Sequence, residues 1–124
     1  MSPKKTLTLL FAILLFMGGV MAEKPIVNVG DWYYKQFDYR KAILYYEKAL
    51  KKDNGNVYVL QRIADSYRLI NDWAKAEEYY AQLSKNPEAN VINKLYYAES
   101  LRSNQKYAEA KVAYKEYSDA VPTD

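Results

Sequence analysis

Neither cysteine nor histidine occurs among the 124 residues. The first absence excludes disulfides, thiolate nucleophiles and thiolate metal sites, and with them the lipid-modified cysteine that tethers a bacterial lipoprotein. The second removes the commonest general base near neutral pH and the commonest metal ligand. Glycine is scarce as well, at four residues. Gly30 and Gly55 each stand alone, so no glycine-rich loop is available to cradle a phosphate. All three methionines, Met1, Met17 and Met21, lie at the start of the chain. Beyond them the chain has none of the soft side chains that favour promiscuous binding surfaces. An enzyme built on carboxylates alone is the remaining catalytic option. Adjacent Glu77 and Glu78 fit it poorly, because neighbours on a helix point about 100 degrees apart; they read as a solvated helix face. The segment Asp53-Asn54-Gly55-Asn56 lacks the spaced acidic ligands and the terminal glutamate of a calcium loop, and reads as a turn. No catalytic residue, metal or cofactor is expected.

Long apolar runs are also missing, apart from Thr6 to Met17. With Lys4 and Lys5 before it and the small-residue stretch Val20-Met21-Ala22 after it, that run has the form of an export signal over residues 1–22. It is shorter than the roughly 20 residues that span a bilayer. An uncleaved anchor is the alternative; cleavage would leave a mature chain starting at Glu23, with no integral span, in the periplasm or associated with the outer membrane. Removing two of 18 basic residues and none of 15 acidic ones leaves 16 − 15 = +1 of the original +3. A near-neutral domain with no basic stripe offers no electrostatic footprint for nucleic acid.

What the chain does contain is a period. Ala42, Ala76 and Ala110 are 34 residues apart, each followed four residues later by Tyr46, Tyr80 or Tyr114 and preceded three residues earlier by Tyr39, Trp73 or Tyr107. A fixed period in this range is the mark of a stacked array of supersecondary units. Polar breaks such as Phe37-Asp38, Asn71-Asp72 and Asn104-Gln105 divide the pattern into six helices, near 24–36, 39–52, 57–70, 73–85, 91–103 and 107–120. Connections this short make neighbours antiparallel. The small residues Gly30, Ala64 and Ala98 let the second helix of each pair approach closely. The rings of Tyr46, Tyr80 and Tyr114 are expected to fill the space between one hairpin and the next. Most of the 14 tyrosines are expected to pack their rings and leave the hydroxyl in water.

The quartets Ile26-Val29-Gly30-Tyr33, Leu60-Ile63-Ala64-Tyr67 and Lys94-Tyr97-Ala98-Leu101, followed by the alanine and tyrosine positions and by Pro87 and Pro122, resemble the tetratricopeptide repeat. The resemblance covers residues 23–124 as repeats 23–56, 57–90 and 91–124. Several positions depart from the family pattern: no unit starts with Trp, Lys94 stands at an apolar position, and Leu83 and Tyr117 replace small residues. The fold this implies is all-α, a right-handed α-α superhelix (a tetratricopeptide solenoid) of three hairpins, whose first helices line a concave groove. A partner-binding groove is then expected from Tyr34, Lys35, Tyr58, Arg62, Asp65, Arg68, Tyr96, Glu99 and Arg102. Tyrosine beside arginine suits peptide recognition, with rigid area from one and directed hydrogen bonds from the other; a merely solvated face is the alternative. At the positions of the family's chaperone-tail carboxylate clamp stand Val27, Asp31, Arg62, Ile92 and Tyr96, and Asp31 would repel a carboxylate.

The implied function is a non-enzymatic protein-binding scaffold of the bacterial envelope. It would use either the groove or the last hairpin, where Val112 and Tyr117 are expected to be exposed; a partner would cover that hairpin, or the natural protein would continue beyond it. The stretch GDWYYKQFDYRKAILYYEKAL is similar to the repeat region of OmpA-family outer-membrane proteins, including the PorE-type component of type IX secretion. The alternative is a small structural protein that self-associates through its last hairpin.

Overall fold

The computed structural model describes residues 25–123. The expected export signal at 1–22, like Asp124, lies outside the described residues. Six helices follow in order: α1 Ile26–Lys35, α2 Tyr39–Lys52, α3 Val57–Leu69, α4 Trp73–Lys85, α5 Ile92–Ser103 and α6 Tyr107–Ala120. No strand occurs among the described residues. The ends fall within two residues of the expected ones, because the chain spells out its own starts and stops. Asp38, Asn56 and Asp72 cap α2, α3 and α4 by accepting from Lys41 N, Val59 N and Lys75 N, which satisfies helix-end donors that have no partner in the helix.

Each hairpin turns in the same way. Phe37, Asn71 and Gln105, 34 residues apart, adopt φ of 61°, 61° and 63°. The following residue's N–H reaches back to the carbonyl of Tyr33, Tyr67 or Leu101, the closure that ends a helix through a left-handed residue. None of the three is glycine, so every hairpin turn carries a conformation that side chains disfavour.

Helices pack in sequence, α1 on α2, α3 on α4 and α5 on α6 within hairpins, and α2 on α3 and α4 on α5 between them. Two stripes of each first helix divide this work. Val59 and Ile63 join Ala42, Tyr46 and Ala49 of the preceding helix, and Ser66, one turn further on, is fully buried. Leu60 and Ala64 join Ala76, Tyr80 and Leu83 of their own hairpin. The close approach is tightest at Gly30, where a Cβ would meet the Tyr46 ring at 2.7 Å. Tyr33 stacks on Tyr45 at 5.4 Å, and Tyr67 on Tyr79 at 5.8 Å, one period later. In the third hairpin, buried Leu101 and Ala113 occupy those places.

Four expectations need refinement. Tyr46 and Tyr80 are fully buried between hairpins, but Tyr114 is half-buried, since no described helix lies over α6. Val112 is exposed, yet so is Leu44, two periods earlier; its exposure belongs to the outer face of every hairpin rather than to the last one. Tyr117 is only half-exposed. Lys94 is accommodated at its apolar position by reaching the Ser84 carbonyl with Nζ at 2.7 Å.

Candidate functional site

The first helices carry a repeated acidic position: Asp31, Asp65 and Glu99, each 15 residues before Tyr46, Tyr80 and Tyr114. In the first two hairpins the buried tyrosine donates its hydroxyl to that carboxylate, Tyr46 to Asp31 and Tyr80 to Asp65, both at 2.5 Å. The hydroxyls are therefore not in water. Tyr67 likewise donates to Glu47 at 2.9 Å. Burial raises the pKa of Tyr46 above the ordinary phenol value, reinforced by its hydrogen bond to Asp31. Burial and the Asp65 charge do the same for Tyr80. An ionised phenol beside a carboxylate in a poorly solvated site is doubly disfavoured.

Each carboxylate–tyrosine pair is roofed by the next hairpin. At the first junction, Tyr58 donates to Asp31 at 2.9 Å and accepts from Arg62 Nε at 3.1 Å. The Arg62 guanidinium lies 4.4 Å from the centre of the Tyr34 ring. At the second junction, Arg68 Nε donates to the Tyr80 hydroxyl at 2.9 Å, and its guanidinium lies 4.5 Å from the centre of the Tyr96 ring. Tyr34 and Arg68 occupy the same repeat position, as do Arg62 and Tyr96. The same cation–ring pair thus recurs with its two members exchanged between hairpins. Gln61 also donates to Asp65, at 3.1 Å, and Asn93 to Gln61, at 2.8 Å, so the second junction extends into a buried amide pair.

Of the residues expected to line a groove, the structure assembles Tyr34, Tyr58 and Arg62 into one cluster and Asp65, Arg68 and Tyr96 into another. Lys35 and Arg102 stand exposed at the ends of α1 and α5, and Glu99 is half-buried. The clusters also contain Asp31, Tyr46, Tyr80, Gln61 and Asn93, none of them among those nine. The acid recurring 15 residues before each tyrosine was a sequence signal that could have found the first three.

On the opposite side, Glu77 is not a solvated residue like Glu78. It accepts from Asn104 Nδ2 and Lys106 Nζ, both at 2.6 Å, joining the second and third hairpins. No group of three or more acidic residues that could hold a metal occurs among the described residues. No helix there is long and apolar enough to cross a membrane.

Residues 33–90 match the family profile of the tetratricopeptide repeat. No curated protein matches the chain. The matched stretch runs from the end of α1 through α4, taking in the first junction, and α5 and α6 repeat its geometry. Repeats of this kind generally mediate protein–protein contacts and are typically non-enzymatic.

Proposed function

From the tetratricopeptide-repeat match over residues 33–90, we propose that the chain is a non-enzymatic protein-binding scaffold of the bacterial cell envelope, holding a segment of a partner protein along the face of α1, α3 and α5. The observation that carries this reading is the pair of arginine–tyrosine stacks. Each guanidinium is fixed by a ring beneath it and by a hydrogen bond through Nε. The terminal nitrogens of Arg62 and Arg68 then serve a ligand's acceptors without first having to be ordered, which lowers the entropic cost of binding. Asp31, Asp65 and Glu99 along the same face disfavour an acidic tail, so the fitting segment is neutral or basic and offers backbone carbonyls.

Export through residues 1–22 places the scaffold in the periplasm or at the outer membrane. The setting we propose is that of the repeat region of OmpA-family proteins of the type IX secretion kind. Amino-terminal sequencing of the protein recovered from a periplasmic extract checks the first part, with Glu23 expected as the first residue.

Pull-down from envelope extract by the mature chain tests the binding face, repeated with Tyr34, Arg68 and Tyr96 each changed to alanine. Circular dichroism verifies that each variant keeps its helix content. Loss of a specific partner in folded variants supports the groove; identical partners and yields throughout would remove it.

A further inference from the structure

The two internal junctions define what a hairpin end requires, and the third hairpin presents the same end uncovered by any described helix. Glu99, Arg102 and Tyr114 are the third-hairpin equivalents of Asp65, Arg68 and Tyr80. The Tyr46–Asp31 and Tyr80–Asp65 bonds have no counterpart between Tyr114 and Glu99 among the described residues. Arg102 is exposed, whereas Arg68 lies against the Tyr96 ring.

We propose that this end of the third hairpin docks a partner's amphipathic helix that sets an aromatic ring on Arg102 and a small residue four positions later against α6. The pattern is read from the two helices that already cover such ends. Arg62 in α3 and Tyr96 in α5 meet the residue at the position of Arg102, and in each case the side chain is the one that complements it: arginine where the hairpin below offers Tyr34, tyrosine where it offers Arg68. Since the third hairpin offers an arginine, an arginine-bearing helix would meet like charge and an aromatic one a cation–ring pair. Four residues on, both helices carry serine, Ser66 and Ser100, and both are fully buried.

A second copy of this chain does not meet the requirement. Its first helix has Asn28 at the ring position and Trp32 at the serine position, and Trp32 is 58% exposed. An indole there cannot enter the space that serine fills. The occupant is therefore a helix of another protein, and this surface is separate from the face of α1, α3 and α5, so that groove binding and end docking fail independently.

The test uses the purified chain and a helix-stapled peptide of residues 91–104, the segment that covers the second hairpin, since a peptide this short is marginally helical in water. Two peptides, one keeping Tyr96 and one with Tyr96→Arg, are titrated against the natural chain and against Arg102→Tyr. We expect the natural chain to prefer the tyrosine peptide about tenfold or more, and Arg102→Tyr to reverse the preference. No binding by either peptide, or a preference that ignores residue 102, as would follow if the peptide displaced α5 from its own seat, overturns the proposal. Head-to-tail assembly of the chain that light scattering detects and Arg102→Tyr abolishes overturns it too, because the occupant would then be a second copy.

Discussion

Two residues show how local chemistry is bent to the needs of the array. Gly30 sits inside α1, where glycine costs about 1 kcal/mol relative to alanine, yet a Cβ there would meet the fully buried Tyr46 ring at 2.7 Å. Overpacking of a dense core typically costs about 1–3 kcal/mol and outweighs the gain in propensity. Gly30→Ala is therefore expected to lower stability by about 1 kcal/mol in urea denaturation, even though alanine stands at the equivalent positions 64 and 98. Gln105 presents the opposite case. It is exposed, with φ of 63°, so glycine would relieve the backbone at almost no loss of packing. Gln105→Gly is expected to raise stability by about 0.5–1 kcal/mol, measurable as an increase in the urea midpoint.

At the level of helices and their junctions, the hydroxyl of the inter-hairpin tyrosine separates structure from mere bulk. Tyr80→Phe leaves the ring in place but removes the donor to Asp65 and the acceptor for Arg68. Hydrogen bonds to charged groups contribute about 1.5–3 kcal/mol, and a loss in that range is expected. Tyr114→Phe, at the same position of a hairpin whose end is uncovered, is expected to change stability by less than about 0.5 kcal/mol. Equal losses in the two variants would mean that the carboxylate bond contributes nothing. The helices themselves were legible in the sequence, since Asp38, Asn56 and Asp72 are caps by type and the alanine–tyrosine spacing gave the period. The junction chemistry was not. Tyr34 and Arg62 are 28 residues apart, as are Arg68 and Tyr96, and the exchange of residue types between the two pairs hides them from a search for identical residues at fixed spacing. Glu77 was misread for a related reason: its partners Asn104 and Lys106 lie in the next hairpin, and nothing on its own helix reveals them.

For the molecule as a whole, the tyrosines couple stability to alkaline pH. Tyr34, Tyr46, Tyr67, Tyr79, Tyr80 and Tyr97 all have pKa values raised above 10.0, in each case chiefly by burial. A raised folded-state value means that the native chain binds more protons than the unfolded one once pH exceeds about 10. Their contribution is complete below that point and is lost as pH rises beyond it. Stability should accordingly be flat from neutral pH to about 9 and then fall steeply. Phenolate absorbance is expected to rise in two stages, the second coinciding with loss of helical dichroism. A single stage completed before unfolding would show that the buried hydroxyls are not held as described.

The exchanged stacks also make the three hairpins non-interchangeable. A gene duplication that inserted a second copy of the middle hairpin after the first would set Arg68 of one against Arg62 of the next. Deleting the middle hairpin would set Tyr34 against Tyr96, two rings with no cation between them. Lengthening or shortening the array by whole units therefore breaks a junction, and the order of the units is written into their charges.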